Sequence, residues 1–261
     1  MTEPIRVTTA DAIAQVTLCR PEVFNALDLE TARALAGCLL GLATDVAIRA
    51  VVVGGEGKAF SAGGDLRWVR DHPRGPAGAF HELAAHVHQA VLEVRRMPKP
   101  VIAAIDGVAA GGGFSLALAC DFRVMGKSAV LKQAYTSSGL CIDGGGTFSL
   151  PRLVGLARAL EIAAFDRPIS AEDALRWGLA TRVVDDGRAA SEALAMAREL
   201  SGRSLHAFGW AKRLLTDSFE TPLETQMERE RDGLGACAAH PDGAEGLAAF
   251  VAKRRPVFVR S

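Results

Sequence analysis

A run of three glycines, Gly111 to Gly113, follows a short apolar strand and precedes an apolar segment, Phe114 to Ala119, that predicts a buried helix. The first N–H groups of a helix have no partner within it and lie at the positive end of its dipole. Glycines leave these groups accessible because no Cβ covers them. The run therefore predicts either a site that holds developing negative charge or close packing of helix on strand.

Two further glycine clusters lie beside carboxylates. Gly63 and Gly64 end a loop and are followed directly by Asp65. This pair predicts a second place where backbone N–H groups can face a ligand. Asp143 comes directly before the run 144–146, which precedes another predicted helix. The carboxylate of Asp143 could either act in catalysis or cap that helix.

The elements that must position these clusters alternate between strand and helix up to about residue 184. Only helical patterns follow from residue 189 onward, so the fold class predicted is α/β with a helical appendage. Asp28 is expected to cap a helix over about 29–43, and the Pro- and Gly-rich segment 71–78 is expected to be a surface loop. The strand-like runs are Ile13–Leu18, Ala50–Val53, Val101–Ile105, Phe122–Met125, Ala129–Leu131 and Thr181–Val184.

Composition limits the possible partners and compartments. The 261 residues carry 30 basic and 30 acidic side chains, so the net charge of zero argues against a nucleic-acid partner. Five scattered cysteines without a CxxC pair argue against disulfides and a zinc site, and favour a reducing, cytoplasmic location. No signal sequence is evident at the N-terminus, and no apolar run of about 18 residues predicts a membrane span.

Six segments, in their order and spacing, resemble the crotonase (enoyl-CoA hydratase/isomerase) superfamily over nearly the whole chain. They are RPEVFNALD at 20–28, GKAFSAGGDL at 57–66, PKPVIAAIDGVAAGGGFSLALACD at 98–121, the segment from GL to LPRLVG at 139–155, WGLATRVV at 177–184 and AFVAKRRPVF at 249–258.

This resemblance implies a particular fold and assembly. The fold would be a crotonase (ClpP/crotonase-like) spiral of ββα units, with the acyl-CoA site in a core over residues 1–200. Residues 201–261 would form a helical oligomerisation segment, and the assembly would be a homotrimer or a dimer of trimers.

The resemblance also assigns roles to the glycines. The backbone N–H groups of Gly64 and Gly112 would form an oxyanion hole around the thioester oxygen of an acyl-CoA. Hydratases of the family carry two glutamates that activate water, and both are absent here. Ser115 stands three residues after Gly112, and Tyr135 replaces the second glutamate in the segment that begins at Gln133. Hydration is therefore doubtful. Both replacements are candidates for substrate contact, although Ser115 could simply be a small residue that suits the helix and Tyr135 could fill a gap in the core.

Asp143 is the carboxylate that remains in place. In family isomerases, including those of phenylacetate breakdown, an aspartate here shifts a double bond as a single acid/base. In 4-chlorobenzoyl-CoA dehalogenases the same aspartate is a nucleophile, paired with a histidine that activates water. His88 matches that histidine by its spacing to Pro100, although it could equally be an ordinary helix-face residue.

Coenzyme A needs cations for its phosphates and an apolar surface for its pantetheine arm. By resemblance, Arg67 and either Lys253 or Arg254 of a neighbouring subunit would contact phosphate. Ala62 and Leu27 would pack near the adenine or the pantetheine. No metal or other cofactor is expected, because coenzyme A is part of the substrate.

The favoured interpretation is an acyl-CoA enzyme that isomerises a double bond through a thioester enolate. The alternatives are hydrolytic dehalogenase- or thioesterase-like chemistry with an Asp143 nucleophile and a His88 base, enoyl-CoA hydration despite the missing glutamates, and non-catalytic acyl-CoA binding.

Overall fold

The computed structural model describes residues 3–258, and the strands in that part of the chain form two sheets. The strands are β1 (Ile5–Ala10), β2 (Ile13–Leu18), β3 (Ala50–Gly55), β4 (Ala59–Ser61), β5 (Val101–Ile105), β6 (Val108–Ala110), β7 (Phe122–Gly126), β8 (Val130–Lys132), β9 (Ile169–Ser170) and β10 (Arg182–Val184). The larger sheet has the order β1-β2-β3-β5-β7-β10, and the smaller has the order β4-β6-β8-β9. Only the β1–β2 and β8–β9 pairs are antiparallel among these strands.

Helices cover both faces of the larger sheet. The α-helices within residues 3–258 are α1 (Leu29–Thr44), α2 (Leu66–Arg70), α3 (Gly75–Arg96), α4 (Gly112–Ala119), α5 (Gly146–Val154), α6 (Leu156–Phe165), α7 (Ala171–Arg176), α8 (Ala189–Ser201), α9 (Leu205–Asp217), α10 (Leu223–Ala239) and α11 (Pro241–Val251).

The apolar central strands divide their side chains between two cores. In β3, Val51 and Val53 belong to the larger core, which also receives side chains from α1, α3 and α4. Ala50 and Val52 alternate with them and belong to the second core, under α8. A strand that is buried on both faces needs apolar residues at every position, which explains the continuous apolar runs in the sequence.

The predicted α/β class is confirmed, and so is the cap at the start of α1. The Asp28 carboxylate accepts a hydrogen bond from the Thr31 N–H at 2.9 Å. The surface loop predicted over 71–78 is wrong in its second half, because α3 already begins at Gly75. Pro76 lies in the first turn of that helix, where its missing N–H leaves no hydrogen bond unmade.

Four short or edge strands were not predicted from the sequence, namely β1, β4, β6 and the two-residue β9. β4 lies within the segment read as a loop, and β6 follows the turn at Asp106 and Gly107 directly. Each has three residues, too few for an alternating pattern to be visible. β1 is exposed at every position after Ile5, so its sequence carries almost no apolar signal.

Three helices form the C-terminal part of the described chain. α8 ends at Ser201 and α9 begins at Leu205, close to the division proposed after residue 200, which stays a prediction. No helix in the span 3–258 is both long and apolar enough to cross a membrane. All five cysteines are free thiols, and the cytoplasmic location inferred from them stays a prediction.

Candidate active site

The loop that carries Gly64 is held by the backbone of Leu27. The Leu27 N–H donates to the Gly63 carbonyl at 2.7 Å, and the Asp65 N–H donates to the Leu27 carbonyl at 2.9 Å. These two hydrogen bonds fix the residues on either side of Gly64, and they involve neither the N–H nor the carbonyl of Gly64 itself. Arg20 reinforces the arrangement by pairing with Asp65 at 3.2 Å.

The two glycine clusters, far apart in sequence, are in contact. Gly63 has a φ of +90°, and a Cβ at that position would lie 2.7 Å from the Gly112 nitrogen. Only glycine fits such an approach in this conformation. A Cβ added to Gly112 would lie 3.8 Å from the Gly64 nitrogen. The structure therefore brings the two predicted oxyanion residues together.

Both amides remain available to a ligand. Within residues 3–258, neither the Gly64 nor the Gly112 nitrogen donates a hydrogen bond to a protein acceptor. Gly112 is the first residue of α4, so its N–H lies at the positive end of that helix. Both glycines line one cavity of about 370 Å³, with walls formed by Leu27, Gly64, Ala77, Phe80, His81, Leu83, Ala84, Val87, Gly112, Tyr135, Leu140, Cys141 and Asp143.

Asp143 lies in the wall of this cavity and is bonded to His88. His88 Nε2 is 2.7 Å from Asp143 Oδ1, so the histidine of α3 does reach the candidate site. The two side chains are 47% and 43% exposed. Ion pairs with that exposure contribute little to stability, which leaves the pair open to a chemical role.

The backbone of Asp143 is held by two hydroxyl groups. Ser115 Oγ donates to the Asp143 carbonyl at 2.6 Å, and the Tyr135 hydroxyl lies 3.5 Å from the same oxygen. The two hydroxyls are 3.3 Å apart. Burial raises the pKa of Tyr135 to about 12, against the opposing hydrogen bond from Ser115. Tyr135 is therefore a neutral phenol at physiological pH.

The expectation that Ser115 contacts substrate is corrected by the structure. Ser115 is fully buried in α4 and does not line the cavity. A Cβ at Gly146 would lie 2.8 Å from Ser115 Oγ, and one at Gly144 would lie 3.0 Å from Ser115 Cβ. The glycine run therefore packs directly on this serine. A glutamate at position 115, as in family hydratases, would displace the segment that follows Asp143.

The alternative reading of Asp143 as a helix cap is wrong. α5 begins after Gly145, which has a φ of +75° and makes no side-chain cap bond. The Asp143 side chain bonds His88 instead.

Only one of the residues expected to contact coenzyme A lines the cavity. Leu27 is buried and lines the cavity. Ala62 and Arg67 are exposed on the loop and the helix that follow β4, outside the cavity wall. Lys253 is exposed just beyond α11. The contacts of these three with coenzyme A stay predictions.

Sequence reasoning missed one face of α3 as a wall of the cavity. Ala77, Phe80, His81, Ala84 and Val87 recur at helical spacing and line it. That spacing was present in the sequence, but Ala77 lies within the segment 71–78 that was expected to be a surface loop. Leu140 and Cys141, in the loop before Asp143, carried no signal.

Among the residues that the structure describes, no group of three or more His, Cys, Asp or Glu side chains could hold a metal ion. The cavity instead combines two free amides, one carboxylate and mostly apolar walls. Such a site can stabilise an oxyanion and move a proton on an apolar substrate.

Comparison with known proteins accounts for this arrangement. The family model described as enoyl-CoA hydratase/isomerase matches residues 8–261. The chain is 37% identical to 1,2-epoxyphenylacetyl-CoA isomerase of Escherichia coli, over 94% of each protein. It is 34% identical to 4-chlorobenzoyl coenzyme A dehalogenase-2 of an Arthrobacter species, over 95% of this chain and 91% of the relative. A crystal structure of an enoyl-CoA hydratase from Polaromonas sp. JS666 superposes with a TM-score of 0.90 at 39% identity, over 98% and 99% of the two chains.

The fold and the site together define an acyl-CoA-transforming enzyme with the crotonase fold. The chain belongs to the enoyl-CoA hydratase/isomerase (crotonase) family. The predicted family and fold are confirmed. The relatives bear names of isomerases, dehalogenases and hydratases, so membership alone does not specify the reaction.

Proposed function

We propose that this protein isomerises a double bond in an acyl-CoA thioester, with Asp143 as the acid/base. The observation that carries the proposal is the number of carboxylate side chains in the cavity wall. Among the described residues, Asp143 is the one carboxylate in the cavity wall. Hydration needs a base for water and an acid for carbon, a task commonly given to two carboxylates.

One carboxylate is sufficient for a double-bond shift. Asp143 takes a proton from a carbon of the acyl chain, and the electron pair moves onto the thioester oxygen to give a dienolate. The Gly64 and Gly112 amides stabilise that oxygen. Asp143 then returns the proton to a different carbon as the electrons move back. No water, metal or cofactor takes part.

His88 supports Asp143 in this scheme. With its proton on Nε2, the neutral imidazole donates to Oδ1 of Asp143 across the 2.7 Å contact. That bond holds one carboxylate oxygen and leaves the other free for the substrate. Ser115 donates to the backbone carbonyl of Asp143, so both the backbone and the side chain of this residue are held in place.

The contact between His88 and Asp143 also favours a second candidate function. In that reaction Asp143 attacks a ring carbon and expels its leaving group to form an aryl ester, or attacks the thioester carbonyl and expels the coenzyme A thiolate to form a mixed anhydride. His88 then removes a proton from the water that hydrolyses this covalent intermediate. The similarity to a 4-chlorobenzoyl coenzyme A dehalogenase supports this candidate, in addition to the 2.7 Å contact.

Substrate anchoring and assembly are part of the proposal. Arg67 would contact phosphate groups of coenzyme A, with Ala62 near the adenine or pantetheine. Lys253 of a neighbouring subunit is favoured over Arg254, because Arg254 is already paired with Glu245 at 2.6 Å. A trimer or dimer of trimers would cover apolar side chains of α11 and nearby segments that are exposed in the single chain, namely Leu247, Phe250, Val251 and Val257.

A substrate panel separates the two reactions. Purified protein is incubated with 3-enoyl-CoA and 2-enoyl-CoA esters and, separately, with halogenated aryl-CoA esters in heavy-oxygen water. Isomerisation predicts interconversion of the enoyl esters without a hydrated product and without label on the protein. Nucleophilic chemistry predicts heavy oxygen on Asp143, and accumulation of a covalent adduct in the His88→Gln variant. His86→Gln is the matched control, because His86 lies on the same helix but contacts Arg33 where His88 contacts Asp143. Efficient hydration of 2-enoyl-CoA would contradict both.

Ser115 is expected to act as a positioning residue for Asp143. Ser115→Ala removes the 2.6 Å bond to the Asp143 carbonyl and should lower kcat about tenfold, with KM changed less than twofold, because the carboxylate loses its exact placement. Steady-state kinetics and a thermal unfolding midpoint are measured together. Ser170→Ala, which removes the cap of α7, should lower stability by about 1 kcal/mol and leave kcat unchanged. A Ser115→Ala variant that loses only stability would contradict the positioning role.

A further inference from the structure

Two adjoining cavities lie behind the segment that carries Asp143, between α3, α5 and α9. Their volumes are about 720 and 510 Å³. Neither is part of the candidate active site, whose lining residues are all different. The two cavities share the side chains of Arg95, Phe148, Ser149, Lys212 and Thr216.

Positive charge exceeds negative charge in the walls. Six cationic side chains line the two cavities, against the two carboxylates of Asp121 and Asp217. Asp121 is already bonded to Lys212 at 2.8 Å, and Asp217 lies 3.9 Å from Arg229. The cations are Arg95, Arg96, Arg123, Arg152, Lys212 and Arg213.

Two of these cations share one aromatic ring. The guanidinium carbons of Arg152 and Arg95 lie 3.5 and 5.6 Å from the centre of the Phe148 ring. Arg152 donates to the Phe148 carbonyl and to Glu220, each at 3.0 Å, but within residues 3–258 its buried Nε has no partner. Burial lowers the pKa of Arg95, and the nearby charge of Arg152 lowers it further against the opposing charge of Asp121. Like charges held this close repel each other, so an anion that contacts both guanidinium groups would be favourable in addition to the existing pairing of Arg152 with Glu220.

Apart from Ser149, Thr216 and His206, the remaining walls are mostly apolar and aromatic. Val91 and Trp210 line the larger cavity, and Phe208 and Leu215 line the smaller one. A ligand that fits both features has an anionic head for the guanidinium groups and an apolar body. Guanidinium groups match the geometry of a carboxylate particularly well, because they can bind both of its oxygens.

We propose that Arg95 and Arg152 form a binding site for an organic carboxylate with an apolar body. The site lies beside the segment that carries the catalytic carboxylate, because Gly145 lines the larger cavity and is two residues from Asp143. The carboxylate can come from a free acid, or from the far end of an acyl group whose thioester lies in the catalytic cavity. Binding of the free acid does not depend on the proposed isomerisation.

Binding is tested with probes that separate the contribution of the carboxylate from that of the apolar group. Phenylacetate and octanoate carry both groups, acetate carries the carboxylate with almost no apolar group, and benzyl alcohol carries the apolar group without the carboxylate. Calorimetry is combined with the fluorescence of Trp210, using Trp210→Phe to identify its signal. Phenylacetate or octanoate should bind at least tenfold more tightly than acetate and benzyl alcohol. Equal binding of all four probes, or of none, would overturn the proposal.

Variants locate the site. Arg152→Gln and Arg95→Gln should each raise the dissociation constant for the preferred carboxylate at least tenfold. Arg158→Gln is the matched control, because Arg158 also stacks on an aromatic ring, at 4.5 Å from the centre of the Trp177 ring, but lies outside both cavities. Thermal midpoints establish that each variant is folded. Carboxylate binding that is unchanged in both folded arginine variants would place the ligand elsewhere and reject this site.

Kinetics distinguish the two sources of the carboxylate. If it belongs to the substrate, the ratio of kcat/KM for an ω-carboxyacyl-CoA to that for the plain acyl-CoA should fall at least tenfold in Arg152→Gln. If it is a free acid, that ratio stays constant, and the acid binds protein saturated with acyl-CoA as tightly as it binds free protein. Both results support the site, and they identify different ligands.

Discussion

Asp143→Asn should lower kcat by about 10³-fold on whichever acyl-CoA the enzyme turns over, with KM changed less than about threefold. The amide keeps the size of the carboxylate, and its oxygen can still accept the hydrogen bond from His88. The bond from Ser115 to the backbone carbonyl is also retained. The variant therefore removes the base or nucleophile and little else.

Two measurements make this result specific. Binding of a non-reactive acyl-CoA analogue should be unchanged, because the Gly64 and Gly112 amides still face the cavity. Asp71→Asn is the control, since Asp71 is an exposed carboxylate bonded to Arg70 outside the cavity, and it should retain full activity. An Asp143→Asn enzyme that keeps more than a tenth of the original kcat would exclude Asp143 as the acid/base and as the nucleophile.

The glycine clusters were the part of the site most accessible to sequence reasoning. Gly112 at the start of a helix and Gly64 before Asp65 were recognisable from local chemistry, because accessible backbone N–H groups require glycine. Their mutual contact was implied only by resemblance to a family. In the structure this contact depends on the bonds of Leu27 to Gly63 and Asp65, which join segments that are distant in sequence.

Ser115 illustrates what a sequence position cannot convey. The missing glutamate at 115 was visible, but the purpose of the serine was not. Its hydroxyl holds the Asp143 carbonyl, and the glycine run packs on it so closely that the two features depend on each other. Ser115 therefore stands where the family resemblance places a glutamate, and its hydroxyl positions the one carboxylate of the cavity wall, Asp143.

The carboxylate site proposed behind the catalytic segment had no sequence signal. Arg95 and Arg152 come from α3 and α5, and each is an ordinary helical residue by local pattern. Their proximity follows from the packing of both helices around Phe148. Periodicity assigns residues to faces of an element, but it does not specify which faces of distant elements meet.

Lys212→Met should destabilise the folded protein by about 3–5 kcal/mol, because it leaves a buried carboxylate without its partner. Lys212 Nζ bonds Asp121 Oδ2 and the Val94 carbonyl, each at 2.8 Å, and thereby fixes α9 to the core. Burial raises the pKa of Asp121 and lowers that of Lys212, and in each case the charge of the partner opposes the effect. Each ion is thus tolerated only because the other is present.

The double variant Lys212→Met with Asp121→Asn should recover part of the loss, because neither member of this pair then remains as a buried charge without its partner, and the asparagine can still accept from the Val101 N–H. Denaturant unfolding at one fixed protein concentration measures both, since association would otherwise shift the midpoint. Lys127→Met is the control: Lys127 makes a similar bond to Asp185 at 2.6 Å, but both side chains are exposed, so its midpoint should not move. If Lys212→Met were as stable as this control, the attachment of α9 would depend on its apolar contacts, and the ion pair would contribute nothing measurable.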